Sequence, residues 1–140
     1  MSKLPANKVS FTYRLEVQES HLDTLKHVNN IVYLEWVQQA AERHWNQLAS
    51  AEIQAENVWM ALRHEIDYFG QAFLHDSLQI ATWIDSSSGA KSIRMVQVYK
   101  GDSLLTQCKT IWVMLDAKTL KPKRIGPKIM HLFSKEDSTS

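Results

Sequence analysis

The chain has 140 residues, of which 44% are hydrophobic, and these values predict one globular domain, residues 1–140, with a single packed core. Sixteen Lys and Arg residues against fifteen Asp and Glu give a formal net charge of +1, so neither nucleic acid nor an anionic membrane is expected as a partner. The single cysteine, Cys108, excludes an internal disulfide. The N-terminal residues lack a signal-peptide pattern, and no stretch approaches the about 20 apolar residues that span a bilayer, so we expect a cytoplasmic protein.

The first half of the chain carries one strand pattern and one helix pattern. Residues 10–17, SFTYRLEV, alternate apolar and polar side chains, which predicts a half-buried strand. From Ile31 to about Ala49, apolar residues recur at spacings of three or four, which predicts one long amphipathic helix.

The second half of the chain favours strands. Four segments carry strand patterns: VWMALRHEIDYF, SLQIATWI, KSIRMVQVYK and SLLTQCKTIWVMLD. The segments GQAFLHD and DSSSGA and the pair Gly101-Asp102 separate them and are typical of hairpin turns, so we interpret the four strands as an antiparallel meander. The residues after Asp116 indicate a turn, an edge segment and, over about residues 129–140, a frayed tail.

This order of elements predicts the α+β class, with one helix packed against one antiparallel sheet. A single helix covers only part of a five-stranded sheet, and five tryptophans, four tyrosines and four phenylalanines require burial. A second subunit is the expected cover, so we predict a homodimer or homotetramer.

The segment HLDTLKHVNNIVYLEW, residues 21–36, places proton-transferring and hydrogen-bonding groups directly before the predicted helix. In one interpretation each group is structural: Asn29 or Asn30 caps the helix, Asp23 stabilises a turn and His27 is a loop residue. In the other, the helix N-terminus stabilises an oxyanion, while the Asp23 carboxylate attacks a carbonyl or activates water and an imidazole transfers a proton. Acyl transfer fits this second arrangement.

The pattern D-x-x-x-H-V-N-N-x-x-Y, which runs from Asp23 to Tyr33, resembles the signature of hot-dog-fold thioesterases. It is most similar to the acyl-CoA thioesterases of the 4-hydroxybenzoyl-CoA thioesterase-like group and to plant-type acyl-carrier-protein thioesterases. The resemblance implies a hot-dog fold, in which a five- or six-stranded antiparallel sheet wraps one long helix and subunits dimerise by pairing their sheets.

The resemblance also implies roles for individual residues. Asp23 corresponds to the catalytic aspartate, either as nucleophile or as base for water, and His27 matches a histidine assigned to catalysis in the plant-type motif. Asn30 lies where a backbone amide at the helix start polarises the thioester carbonyl. Asn29 and Tyr33 are the substrate-binding candidates, with Tyr33 expected to line the acyl or pantetheine channel.

Two positions depart from the family pattern. Plant-type enzymes carry an asparagine two residues after the aspartate, where this chain has Leu25, so the role of that carboxamide does not transfer. Relatives often have glycine directly before the histidine, where this chain has Lys26. Lys26 is either a solvated loop residue or a contact for coenzyme A phosphates at the mouth of the site.

The resemblance implies an acyl-CoA thioesterase that hydrolyses a fatty or aromatic acyl thioester to free acid and coenzyme A without a cofactor. Acyl-carrier-protein thioesters are an alternative substrate. A hydratase on the same fold and an acyl-thioester binding protein without turnover are alternative functions. No histidine, cysteine or carboxylate spacing indicates a metal site. Five basic residues form either a solvated edge or a coenzyme A docking patch: Lys118, Lys121, Lys123, Arg124 and Lys128.

Overall fold

A computed structural model describes residues 4–134 of the chain. Five strands form one sheet: β1 (Ser10–Glu16), β2 (Asn57–Tyr68), β3 (Ser77–Ser88), β4 (Lys91–Lys100) and β5 (Ser103–Asp116). Three α-helices accompany them: α1 (Asn30–Leu48), α2 (Ala51–Glu56) and α3 (Pro127–Phe133). A short 3-10 helix, Glu19–His21, follows β1. The predicted α+β architecture, one long helix against a five-stranded antiparallel sheet, is confirmed.

The strand order in the sheet is β1-β3-β4-β5-β2, and every neighbouring pair is antiparallel. The predicted meander is therefore correct for β3, β4 and β5 but wrong for β2, which pairs with β5. The segment GQAFLHD is accordingly a connection between two strands that are not neighbours, and not a hairpin turn. Hairpin signals act between adjacent residues, whereas the pairing of β2 depends on contacts far apart in the sequence.

One face of α1 is buried against the sheet, and it only partly coincides with the predicted apolar stripe, whose first residue, Ile31, is 68% exposed. The buried side chains of the helix are Val32, Tyr33, Trp36, Val37, Ala40, Ala41 and His44. Asn29 begins the helix as its N-cap, because its side-chain oxygen accepts a hydrogen bond from the amide of Ile31 at 3.1 Å. Within residues 4–134, no helix combines the length and the apolar character needed to cross a membrane.

The core under α1 consists of two apolar clusters with a polar belt between them. The first cluster includes Tyr33, Trp36, Ile80 and Val96, and the second includes Ile84, Met114, Ile129 and Phe133. We call the buried residues between the clusters the polar belt: His44, Thr82, Arg94 and Thr110. Cross-strand register places Arg94 opposite Thr110, and the Arg94 guanidinium donates hydrogen bonds to His44 Nδ1 and Thr82 Oγ1, both at 2.9 Å.

The segment expected to be a frayed tail differs from that expectation over residues 129–133. These residues belong to α3, which begins with Pro127 in its first turn, a position that proline favours because its missing amide has no helical partner there. Ile129 and Phe133 are buried in the second cluster, and the Phe133 ring lies 6.5 Å from that of Trp45. The burial of these two apolar side chains explains why α3 forms in a segment that contains prolines. Residues 135–140 lie outside the described part of the chain.

The buried His44 side chain leads us to predict that the fold loses stability as the pH falls. Burial, and secondarily the charge of Arg94, lower the pKa of His44 from 6.5 to about 3, so the folded protein holds the neutral imidazole. Between pH 6.5 and 3 the unfolded chain therefore binds the proton that the folded protein excludes, and stability falls as the pH falls through this range. One excluded proton contributes a slope of about 1.4 kcal/mol per pH unit at most.

Urea unfolding of the wild type and of His44→Gln at several values between pH 4 and 7 measures this effect. The glutamine carbonyl can still accept a hydrogen bond from Arg94 but cannot be protonated. The free energy of unfolding of the variant should therefore depend less steeply on pH, by an amount that corresponds to most of one proton. His75→Gln, at a histidine whose side chain is 72% exposed, controls for the removal of a histidine. Equal slopes for His44→Gln and the wild type would contradict the prediction.

Candidate active site

A tight loop places Asp23 and His27 next to each other before α1. The backbone amide of Asp23 donates to the carbonyl of His27 at 2.9 Å, and the amide of Lys26 donates back to the carbonyl of Asp23 at 3.1 Å. The loop is anchored to the segment after β2, because the amide of Val28 donates to the carbonyl of Ala72 at 2.9 Å. The two chain segments that border the site are thereby held together.

The two oxygens of the Asp23 carboxylate have different surroundings. Oδ1 accepts a hydrogen bond from the amide of Leu25 at 2.8 Å, which is the turn-stabilising contact of an Asx residue. Oδ2 lies 3.5 Å from Nδ1 of His27, and the side chains of His27 and Asp23 are 20% and 28% exposed. The structural and the chemical interpretations of Asp23 are therefore compatible, since one oxygen is held by the turn and the other faces an imidazole.

The start of α1 supplies hydrogen-bond donors to the same region. Asn29 uses its side-chain oxygen as the helix cap, and Asn30 is the first helical residue. The first amides of a helix have no intrahelical partner and form the positive end of the helix dipole. The Tyr68 hydroxyl donates to the carbonyl of Asn30 at 3.2 Å, so the end of β2 holds this first turn from the side.

All five residues singled out in the sequence line one cavity of about 640 Å³, which we call the Asp23 cavity. They are Asp23, His27, Asn29, Asn30 and Tyr33. Tyr33 is only 2% exposed, and its ring packs edge-on against Trp36 at 5.3 Å and lies 5.7 Å from Tyr68. Burial raises the pKa of the Tyr33 hydroxyl. Tyr33 thus forms part of the wall, and its hydroxyl remains protonated at neutral pH.

Sequence reasoning missed the opposite wall of the Asp23 cavity. This wall consists of Tyr68 at the end of β2 and of Phe69, Gly70 and Gln71 in the following segment. No local pattern marks these residues, because their position depends on how β2 and the loop before α1 come together. Lys26 and Glu35 do not line the cavity.

Lys26 has a backbone φ of +69°, in the left-handed region that favours glycine. The residue directly before His27 must therefore adopt a conformation that costs a non-glycine residue about 1–2 kcal/mol. This explains physically why glycine suits this position in similar sequences. The left-handed turn directs the chain so that His27 lies back over Asp23.

The chain is similar in sequence to known thioesterases. A family model described as Thioesterase-like superfamily matches residues 17–133. The chain is 26% identical over 115 residues to the long-chain acyl-CoA thioesterase FadM of Escherichia coli K12, which corresponds to 77% of this chain and 85% of FadM.

Two solved structures share the fold. Slr0204, a 1,4-dihydroxy-2-naphthoyl-CoA thioesterase from Synechocystis, superposes with a TM-score of 0.75 at 18% identity, over 89% of this chain and 95% of that one. SAV2348 from Staphylococcus aureus, solved in complex with CoA, superposes with a TM-score of 0.79 at 13% identity, over 93% of this chain and 85% of that one. These likenesses confirm the predicted hot-dog fold.

The conformation of Lys26 predicts an order of stability among variants. Lys26→Gly removes the steric cost but adds backbone entropy to the unfolded chain, so its free energy of unfolding should equal or slightly exceed that of the wild type. Lys26→Val should lower this free energy by about 1 kcal/mol or more, because a β-branched residue tolerates positive φ poorly.

Chemical denaturation of the variants tests this order. Thr24→Gly is the matched control, since Thr24 is exposed in the same loop and has no positive φ. This control should lose about 0.5–1 kcal/mol through backbone entropy alone. A valine variant as stable as the glycine variant would contradict the proposed strain.

Proposed function

The chain belongs to the thioesterase-like superfamily, and from this premise we propose that it hydrolyses acyl-CoA thioesters to a free acid and coenzyme A. The observation that carries the proposal is the Asp23 cavity, where a partly exposed carboxylate and an imidazole lie beside the positive end of α1. Carboxylates act as nucleophiles or general bases, and helix-start amides stabilise oxyanions.

In the proposed reaction, Asp23 Oδ2 takes a proton from water, and the resulting hydroxide adds to the carbonyl carbon of the thioester. The first amides of α1, near Asn30, stabilise the oxyanion of the tetrahedral intermediate. The carbon–sulfur bond then breaks, and the proton passes to the thiolate of coenzyme A. His27, with Nδ1 at 3.5 Å from Oδ2, orients the carboxylate and assists this proton transfer.

In the alternative course, Oδ2 attacks the carbonyl carbon directly. Coenzyme A then leaves, and water hydrolyses the mixed anhydride to the acid and the regenerated carboxylate. The hydrogen bond from the Leu25 amide to Oδ1 supports both courses, because it fixes the carboxylate while Oδ2 remains available.

We further propose that the chain acts as a homodimer formed by antiparallel pairing of β2 with the β2 of a second copy. β2 is a long edge strand that pairs only with β5. Val58, Met60 and Leu62 of this strand are 37%, 48% and 47% exposed, an apolar edge that a lone subunit would leave in water. Pairing would satisfy the outer backbone groups of β2 and bring these side chains beside those of the partner strand.

Asp23→Asn tests the chemistry. The asparagine oxygen can still accept from Leu25, so the fold should persist, while the carboxylate is lost. Thiol release from short, medium and long acyl-CoAs should fall by about 100-fold or more in kcat, which corresponds to about 2.7 kcal/mol of transition-state stabilisation. Glu35→Gln removes an exposed carboxylate that does not line the cavity and should retain activity.

Two results would contradict the proposed chemistry. Turnover that is unchanged in Asp23→Asn would exclude the aspartate mechanism. Absence of turnover on every acyl-CoA, with saturable acyl-CoA binding, would favour the binding protein without turnover.

Met60→Lys tests the dimer. A charge within the paired strand should shift the molecular mass measured by light scattering from two subunits to one. Leu120→Lys places the same charge on another apolar residue, one that is 63% exposed outside β2, and should remain dimeric. A monomeric wild type, or a dimeric Met60→Lys, would contradict pairing through β2.

A further inference from the structure

A second cavity, of about 430 Å³, lies under the C-terminal half of α1. We call it the Arg94 cavity. Its aromatic walls are Trp45, Trp59, Trp112 and Phe133, and Arg94 contributes buried polar surface together with Asn57 and Ser92. Gln38 and Glu42 of α1 border the cavity and are exposed, whereas Arg94 is only 4% exposed. The cavity therefore leads from the helix surface inward to the guanidinium.

Among the described residues, Arg94 is a buried cation without a counter-charge. Its two described hydrogen bonds, to His44 Nδ1 and Thr82 Oγ1, both use Nη1 and leave the other guanidinium nitrogens able to donate. Both acceptors are neutral, since burial keeps His44 unprotonated. Among residues 4–134, no carboxylate lies within ion-pairing distance of Arg94, Glu42 at the cavity mouth included.

A buried charge without a partner is costly, and a ligand that supplies the opposite charge removes this cost. Burial lowers the pKa of Arg94 to about 9, so the guanidinium remains protonated at neutral pH. The planar guanidinium fork matches the two oxygens of a carboxylate. The tryptophan walls suit an apolar body attached to that carboxylate, and the volume falls within the range of small-ligand sites.

Within one subunit the two cavities are separate, since they share no lining residue. Asn30, at the start of α1, and Trp45, in the wall of the Arg94 cavity, are separated by about 22 Å of helix at 1.5 Å per residue. The buried side chains of Trp36, Val37 and Ala40 lie between these two points of the helix.

Antiparallel pairing of β2 changes this relation between the cavities. Val58 and Trp59, at the start of β2, border the Arg94 cavity, while Tyr68, at its end, borders the Asp23 cavity. In an antiparallel pair the start of one strand lies beside the end of the other. Each Arg94 cavity would then lie next to the partner's Asp23.

We propose that Arg94 selects acyl thioesters whose acyl group ends in a carboxylate, which the Arg94 cavity binds while the thioester lies at the partner's Asp23. This inference rests on the proposed thioesterase function and names its substrate class. Arg94 is a specificity-determining residue in this arrangement, and Trp45, Trp59 and Trp112 enclose the apolar part of the acyl group.

The first experiment measures binding without catalysis, because the three cavity tryptophans report occupancy by their fluorescence. The probes are 4-phenylbutyrate and its uncharged amide. The carboxylate should bind the wild type at least about 10-fold more tightly than the amide, in line with hydrogen bonds to a charged group. Arg94→Met should abolish this preference, and Arg94→Lys, which keeps the charge, should retain part of it.

The second experiment compares kcat/KM for adipoyl-CoA and hexanoyl-CoA, which share chain length and differ in the terminal carboxylate. The wild type should favour adipoyl-CoA by about 10- to 100-fold, and Arg94→Met should lose this preference. Arg14→Met, which removes an exposed guanidinium that lines neither cavity, should retain it. If Arg94→Met does not fold, the proposal is tested by the ratio of kcat/KM for adipoyl-CoA and hexanoyl-CoA in the wild type and in Arg94→Lys.

The outcomes separate the two proposals. Carboxylate binding that depends on Arg94, without turnover of either thioester, would overturn the thioesterase function and support the Arg94 site. Equal kcat/KM for both thioesters, or equal binding of both probes, would overturn the Arg94 inference and leave the thioesterase function intact. A carboxylate preference that persists in Arg94→Met would also overturn the inference.

Discussion

The hydrogen bonds around the start of α1 determine where the Asp23 carboxylate, the His27 imidazole and the first helix amides lie in the Asp23 cavity. Asn29 caps the helix, and the loop before it closes through backbone hydrogen bonds of Asp23 with His27 and with Lys26. The amide of Val28 then joins this loop to the segment after β2. Because these bonds are made by the backbone and by a cap, the carboxylate, the imidazole and the helix amides occupy fixed relative positions. Such preorganisation is the basis of electrostatic stabilisation in active sites.

The interior combines apolar packing, which stabilises the fold, with a buried charge, which costs desolvation. The two apolar clusters supply burial and therefore stability. The polar belt between them contributes hydrogen bonds but buries the charge of Arg94, and an all-apolar replacement of similar shape would avoid that desolvation. A buried arginine of this kind is better explained by a ligand than by stability. The same layer that separates the clusters therefore provides the polar part of the Arg94 cavity.

Local patterns in the sequence were sufficient for the five strands, for α1 and for one side of the candidate site, but not for α2 and α3. Alternation identified β1, β4 and β5 closely, since more exposed and less exposed positions alternate along much of each strand, and the helical period identified α1. The resemblance around Asp23 and His27 was informative because those residues lie within one loop. Asp23 and His27 are brought together by the geometry of a short segment, and a sequence motif can therefore identify them.

The features that could not be predicted depend on contacts between distant residues. The pairing of β2 with β5, and the wall formed by Tyr68 and Phe69, follow from tertiary packing. Arg94 appears in its segment as an ordinary polar residue of an alternating strand, and only the folded chain shows that it faces inward with no carboxylate of residues 4–134 beside it. The order of α3 likewise depends on burial of Ile129 and Phe133, which outweighs the local signal of its prolines.

The place of β2 in the sheet also has a consequence for how the chain reaches its native state. β2 is synthesised before β3 and β4, yet its partner is β5, so the whole β3–β4–β5 hairpin series must emerge before β2 can pair. Non-local pairing of this kind slows folding, and an unpaired apolar strand favours aggregation. During synthesis, β2 therefore remains unpaired until β5 has left the ribosome. The edge that we assign to dimerisation is thus also the segment of the nascent chain most in need of protection.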